Sequence, residues 1–277
     1  MSTDQAFAAC EDTVKRFDPD RYWAALFAPA EKRPLLFALY AFNHEIARVA
    51  EATHEPMLAA IRLQWWREAV AEAREGRPRA HDVARALAEI FAKSDPPPDL
   101  FETLLAAREL DAGGDLFKDM AALETYADAT SGTLMRLAAS ILGADIGEGA
   151  RDIGVAYALT GLLRAIPYHA GRGKTYLPLD MLAAEKLSPE EIFAGRSTEK
   201  LKPVMTKISV HAKEKLAIAR RHSIPAQAFP AVLAAATSQA YLKQVTKPGF
   251  DPFRHRAELP LWRRQLAMMG ANMRGKI

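Results

Sequence analysis

Residues 157–182 read YALTGLLRAIPYHAGRGKTYLPLDML, a helical run followed by a basic turn. It opens as an uncharged helical run, reaches Arg164, and then enters a glycine-rich turn that carries Arg172 and Lys174. No carboxylate occurs between residues 160 and 178. These cations therefore have no acidic partner within their own segment.

The composition predicts an all-α protein. Apolar residues make up 49% of the 277 residues, alanine, leucine, glutamate and arginine dominate, and β-branched residues are scarce. A chain of this length can bury a sizeable core between packed helices. The short loops predict a single domain over residues 1–277, built from about ten mostly antiparallel helices, with a basic C-terminal segment at about residues 251–277.

Hydrophobic spacing predicts where the main helices lie. A helix over residues 31–53 places Pro34 in its first turn, and a basic helix runs from about Leu201 to Arg221. A long amphipathic helix is expected over residues 120–143. Residues 57–76 form another, and the residues expected on its inner face are Leu58, Ile61, Trp65 and Val70.

The sequence favours a reducing compartment without a membrane span. Cys10 is the only cysteine, and the first residues lack the basic start and apolar run of a signal peptide. The uncharged stretch 223–242 contains two prolines and several polar residues, which favours a buried core helix over a transmembrane one. We therefore expect a location in the bacterial cytoplasm, with possible peripheral contact at the inner membrane.

Positive charge is concentrated in two windows. Residues 196–222 and 251–277 together carry 14 Lys and Arg against four acids, although the whole chain has a net charge of only +3. Such an imbalance can attract anionic lipids or an acidic partner. Because aromatic residues are not interleaved with the basic ones, nucleic acid is not expected. The predicted contact residues are Lys213, Lys215, Arg263 and Arg264.

Familiar metal motifs are incomplete. The HEIAR segment has Arg48 where a zinc-protease helix would carry its second histidine. Carboxylates spaced by four residues occur at Glu68 and Glu72 and again at Glu124 and Asp128. The first pair is interpreted as a salt-bridged surface and the second as the acidic start of a helix, so neither pair predicts a magnesium site.

Several segments, in order, resemble the squalene/phytoene synthase family. These segments are LFAPAEKRPLLFALYAFNHEIARVAE, LQWWREAVAEAREGRPRAHDVARAL, LLAARELD, YADATSGTL and the stretch quoted above, and the likeness covers about residues 15–240. The resemblance implies the isoprenoid synthase fold, with a central cavity between two aspartate-rich motifs. In that family Mg²⁺ held by the aspartates neutralises the departing diphosphate.

Both acidic motifs are depleted here. The first reads Ala47 to Glu51, with a single acid, and the second has Ala165 and His169 where the family carries aspartates. We therefore expect no bound metal and no other cofactor, and a vestigial diphosphate pocket without catalytic residues. Its expected members are Tyr40, His44, Arg48, Glu51, Tyr126, Arg164, His169, Arg172, Lys174 and Tyr176.

The segments FALYAFNHEIARV, RLQWWREAV and IPAQAFPAVL resemble a non-enzymatic branch of the family, which contains the mitochondrial assembly factors of complex I. This resemblance implies respiratory complex I subunits or assembly intermediates as partners. Two alternatives remain open. One is an active Mg²⁺-dependent prenyl transferase that recruits Glu45, Glu51, Glu124 or Asp128 as ligands; the other is a non-catalytic isoprenoid or lipid binder that uses the basic turn.

Overall fold

The computed structural model describes residues 2–52, 55–114, 116–196 and 199–277. Over these ranges it contains 17 α-helices and no strand, which confirms the all-α fold. The first seven helices are α1 (Thr3–Phe17), α2 (Pro19–Ala25), α3 (Arg33–Ala47), α4 (Val49–Ala52), α5 (Pro56–Arg74), α6 (Asp82–Ser94) and α7 (Pro98–Gly113). The others are α8 (Met120–Ala127), α9 (Thr133–Ile141), α10 (Gly147–Arg164), α11 (Ile166–Ala170), α12 (Leu179–Ala184), α13 (Pro189–Phe193), α14 (Leu201–Ala219), α15 (Phe229–Val232), α16 (Ser238–Val245) and α17 (Leu261–Arg274).

Helix α3 lies at the centre of the N-terminal core. Pro34 occupies its first turn, where the missing N–H removes no helical hydrogen bond. Its central residues are buried on almost every side because α1 and α6 pack against it. Apolar residues therefore surround this helix rather than forming one stripe.

The inner face of α5 differs from the prediction. Leu58 and Ile61 are exposed, whereas Ala59, Leu63 and Trp66 are buried. Val70 is buried as predicted. The inner face packs against α6 and α7 and combines alanines with large side chains, namely Ala59, Leu63, Trp66, Ala69, Val70 and Ala73.

The predicted long helix over residues 120–143 is interrupted by a π-helical turn at Asp128–Gly132 between α8 and α9. Gly132 in this turn meets Gly154 of α10. A methyl group built on Gly154 would overlap the backbone of Gly132 and lie 2.9 Å from the Ser131 carbonyl carbon. The two backbones therefore touch, and this contact holds α10 beside the turn that lines the central cavity.

The uncharged stretch is largely buried from Ala228 to Ser238, but it does not form one helix. It folds as α15 and α16, which are joined by a 3₁₀ segment at Leu233–Thr237. Within the described parts of the chain, no helix is both long enough and apolar enough to cross a membrane.

Candidate functional site

A central cavity of about 220 Å³ lies between α2, α3, α7, α8, α10 and the π-helical turn. It is lined by three arginines, Arg21, Arg108 and Arg164, by three tyrosines, by a threonine and a serine of the π-helical turn, and by two further threonines. No aspartate or glutamate lines it among the described residues. Arg21 and Arg108 pair with Asp18 and Asp111 outside the lining, so Arg164 is the lining arginine without an ion pair among the described residues.

A buried carboxylate anchors the edge of this cavity. Asp111, near the end of α7, accepts hydrogen bonds from the hydroxyl of Tyr126 at 2.8 and 2.9 Å and from that of Tyr176 at 2.8 Å. Arg108, one turn earlier, donates to Asp111 at 3.0 Å, to the Tyr126 hydroxyl at 2.9 Å and to Asn43 at 3.3 Å. The Asp111 cluster, defined as these five residues, leaves both carboxylate oxygens occupied.

Burial raises the pKa of both tyrosine hydroxyls in the Asp111 cluster. Tyr126 and Tyr176 therefore stay protonated at neutral pH and remain hydrogen-bond donors. Asp111 has only 4% of its side chain exposed, so its charge depends on these donors and on Arg108. Such an arrangement stabilises a fixed anion and leaves no free lone pair directed at a ligand.

The two cations of the basic turn, Arg172 and Lys174, have different surroundings. The ammonium group of Lys174 donates to the backbone carbonyls of Asp111 at 2.7 Å and Ala50 at 3.2 Å, and so ties the turn to the ends of α7 and α4. Arg172 is exposed and its guanidinium lies 3.7 Å from the ring centroid of Tyr168. Together with Tyr176, these two cations line a separate pocket of about 120 Å³.

Arg164 faces the central cavity instead. Its guanidinium lies 3.5 Å from the ring centroid of Tyr241 and donates to the carbonyl of Ala257 at 3.3 Å. Arg21 and Arg108 each have an aspartate partner, whereas Arg164 has no ion pair among the described residues. Of the ten predicted pocket residues, the structure thus brings Tyr126, Arg164 and His169 to the central cavity.

The residues predicted from the first motif lie apart from both cavities. His44 stacks on Phe17 with ring centroids 4.5 Å apart, and Arg48 lies over the same ring at 5.9 Å. Tyr40 is buried beneath Arg21, and Glu51 is exposed. These four predicted residues therefore do not line the space around Arg164.

The side chains present do not fit a magnesium site. Within the described ranges, no three His, Cys, Asp or Glu side chains are grouped so that they could hold a metal ion. Glu124 accepts from Lys215 and from His211 at 2.9 Å, and Asp128 pairs with Arg136 at 2.8 Å. Both carboxylates considered as replacement ligands on α8 and its π-helical turn are thus already neutralised by protein cations.

Of the four cations predicted to contact a partner or membrane, two are exposed and two form ion pairs within the protein. Lys213 and Arg263 are exposed, whereas Lys215 lies in the buried ion pair with Glu124. Arg264 donates to Asp20 at 3.0 Å, and both of these side chains are largely buried. Lys215 and Arg264 therefore stabilise helix packing and do not offer free charge to a partner.

We expect the Arg264→Ala variant to lose about 2 kcal/mol of unfolding free energy, because it leaves Asp20 buried without its cation. Burial already raises the pKa of Asp20, and Arg264 opposes that shift. Urea denaturation at pH 7 measures the loss. Arg263→Ala, which removes the neighbouring exposed cation, is the control and should change the free energy by less than about 0.5 kcal/mol. Equal losses of unfolding free energy in the two variants would contradict the structural role of the Arg264–Asp20 ion pair.

His169 should make stability depend on pH. Burial lowers its pKa to about 4 from an ordinary value of 6.5, so the unfolded chain binds its proton first as pH falls. Stability should therefore fall between pH 6.5 and 4, by at most about 3 kcal/mol from this group. In His169→Gln this part of the loss should disappear, whereas the control His255→Gln, at an exposed site, should keep it. Denaturation at pH 7 and 4.5 tests this, and an unchanged loss in His169→Gln would contradict it.

Sequence reasoning missed Arg108 and Asp111 as site residues. The segment LLAARELD carries both, but a cation and an acid three residues apart on a helix are typical of an ordinary surface pair. Tyr126 and Tyr176 follow Asp111 by 15 and 65 residues in the sequence, and only the fold brings their hydroxyl groups to its carboxylate.

A named relative covers most of the chain. The sequence is 30% identical over 249 residues to the NADH dehydrogenase (ubiquinone) complex I, assembly factor 6 of Mus musculus, and the match covers 88% of this chain and 75% of that protein.

Two solved structures share the fold. A dehydrosqualene synthase superimposes with a TM-score of 0.81 at 19% identity, covering 98% of this chain and 97% of that one. The squalene synthase HpnC from Alicyclobacillus acidocaldarius gives 0.76 at 20% identity, covering 89% and 96%. The squalene/phytoene synthase family model matches residues 14–263. A chain with this fold and this match belongs to the squalene/phytoene synthase family.

Proposed function

We propose that this protein is a non-catalytic member of its family that assists the assembly of respiratory complex I at the inner-membrane surface. The observation that carries the proposal is the lining of the central cavity, which has three arginines and no carboxylate among the described residues. The only acid of the Asp111 cluster already accepts hydrogen bonds from Arg108, Tyr126 and Tyr176. Similarity to complex I assembly factor 6 over most of the chain supports the assembly role.

The charge of the cavity argues against prenyl transfer. Ionisation of an allylic diphosphate separates an anion of several charges, and carboxylate-bound Mg²⁺ ions are the usual means of stabilising it. Here Arg21 and Arg108 already neutralise aspartates of the protein. Of the three lining arginines, Arg164 is left to face a ligand, and one guanidinium does not replace a cluster of divalent ions.

The size of the cavity supports the same conclusion. Sites for small molecules typically enclose about 300–1,000 Å³. The central cavity, at about 220 Å³, is smaller than this range. Tyr126, Tyr157 and Tyr241 fill the space beside the arginines. We infer that the cavity serves packing and polar satisfaction and does not hold a long isoprenoid chain.

The proposal is tested by deleting the gene in the source organism. We expect NADH:quinone oxidoreductase activity and the amount of fully assembled complex I on native gels to fall severalfold, and both to return on complementation. Succinate:quinone oxidoreductase activity is the control and should be unchanged. Normal complex I assembly in the deletion strain would overturn the proposal.

A non-catalytic isoprenoid or lipid binder is the second candidate, and one groove favours it. Between α7 and α8 lies an open, mainly apolar groove of about 750 Å³, which is lined by Leu110, Leu116 and Phe117. Lys118 also lines it and could pair with the anionic head group of a lipid or isoprenoid. A ligand bound only by the folded state raises the apparent melting temperature. Farnesyl diphosphate added without Mg²⁺ should raise the melting temperature if this candidate holds, and Leu110→Glu should remove the shift. No shift at saturating ligand would exclude it.

A further inference from the structure

Helix α17 is attached to the protein by one face only. Arg264, Met268 and Ala271 follow each other at intervals of four and three residues, so they lie in one row along the helix. Met268 and Ala271 are buried, and Arg264 forms the ion pair with Asp20 of α2. This inner row packs the helix against α2 and the 3₁₀ segment at residues 233–237.

The opposite face of α17 is a row of exposed apolar side chains, here called the outer stripe. Its members, with their exposed fractions, are Trp262 (55%), Leu266 (58%), Met269 (49%) and Met273 (84%). Their spacing of four, three and four residues aligns them on the side of the helix opposite to the inner row. Scattered apolar residues are normal on a surface, but an aligned row of four large ones marks an interaction site.

The charge beside the outer stripe has one sign. Residues 259–277 contain four Lys and Arg and no Asp or Glu, and three of these cations, Arg263, Arg274 and Lys276, lie outside the Arg264–Asp20 ion pair. Along one flank of α17 runs a groove of about 490 Å³, here called the basic groove, which has no acidic lining residue among those described. Its cations come from α14, α16 and the C-terminal segment, namely Arg220, Lys243, Arg274 and Lys276.

An apolar row with tryptophan, with the basic groove along one flank of its helix, is complementary to an anionic lipid bilayer. Amphipathic helices of this kind lie in the membrane interface, with their apolar side chains among the acyl chains and their cations near phosphates. Tryptophan favours that interface because its ring is both apolar and polar. A second copy of the chain fits less well, because pairing two outer stripes would bring like charges together.

We propose that α17 binds the surface of an anionic bilayer, with the outer stripe inserted and lipid phosphates in the basic groove. The proposal deepens the membrane-surface part of the proposed function and does not depend on complex I as the partner. Loss of complex I assembly in a deletion strain and binding of the purified protein to vesicles are therefore separate results.

Co-sedimentation with vesicles tests this on the full chain. The protein should bind vesicles of equal parts phosphatidylcholine and phosphatidylglycerol and not vesicles of phosphatidylcholine alone. Leu266→Glu/Met273→Glu should lower the partition coefficient at least about tenfold, because charge replaces inserted apolar groups. The matched control is Met57→Glu/Ile61→Glu on α5, which changes two equally exposed apolar residues and should bind as the unmodified protein does.

A second variant separates charge from insertion. Lys243→Gln/Lys276→Gln should lose most of the preference for anionic vesicles, and added salt should weaken binding of the unmodified protein. Circular dichroism should show every variant folded. The proposal is overturned by unchanged binding of the outer-stripe variant, or by an equal loss in the α5 control. Light scattering that shows a stable dimer, dissociated by Leu266→Glu/Met273→Glu, would overturn it in favour of a second copy.

Discussion

Replacing Asp111 with alanine is expected to lower the free energy of unfolding by about 3–5 kcal/mol. The carboxylate is the common acceptor for Arg108, Tyr126 and Tyr176, all of them largely buried. Without it, the two hydroxyls lose their acceptor, and the Arg108 guanidinium keeps only Asn43 and the Tyr126 hydroxyl as partners. The loss exceeds the value of any single hydrogen bond because the three donors share one anion.

Urea denaturation at pH 7 measures this effect, and two variants serve as comparisons. Asp111→Asn keeps a carbonyl acceptor without the charge, so it should lose less than Asp111→Ala. Asp12→Ala removes an exposed acid on α1 and should change stability by less than about 0.5 kcal/mol. If Asp111→Ala matched Asp12→Ala, the Asp111 cluster would not be the support that holds α7, α8 and the basic turn together.

The variant Gly154→Ala should cost about 3 kcal/mol or more. The added methyl group would overlap the backbone of Gly132 in the π-helical turn. A flexible side chain can move away from such an overlap, but a backbone cannot. Helix α10 must therefore separate from the turn, and the packing of α10 around the central cavity would loosen with it.

Gly161→Ala is the matched control, because it makes the same change seven residues later on the same helix. A methyl group at Gly161 meets nothing within 4 Å. Alanine should therefore raise stability by about 0.5–1 kcal/mol through its better helix propensity. Thermal denaturation of the two variants gives the comparison, and a loss of similar size at both positions would contradict the role given to the backbone contact.

Much of the fold could be predicted because helical spacing is a local property. Helices α3 and α14 begin within two residues of the predicted positions. The face of α5 was predicted only in part: Leu58 and Leu63 are equally apolar in the sequence, and only packing against α6 and α7 decides that Leu63 is the buried one. The break at Asp128–Gly132 also depends on a distant residue, Gly154, which meets the turn across the core.

The site was less predictable than the fold. The cations of residues 160–178 were visible in the sequence, but their distances from one another were not. Lys174 donates hydrogen bonds to backbone carbonyls of α4 and α7, whereas the guanidinium of Arg164 lies over the ring of Tyr241. The two cations therefore do not act on one ligand. Asp111 could not be predicted as a site residue, because its ion pair with Arg108 becomes structural only through burial in the fold.

We expect that the central cavity does not support Mg²⁺-dependent release of diphosphate. Purified protein is incubated with farnesyl diphosphate and Mg²⁺ while pyrophosphate is measured, with an active squalene synthase as the positive control. Pyrophosphate release should be no faster than in a sample without protein. Pyrophosphate release that increases with protein concentration and stops when Mg²⁺ is chelated would contradict it.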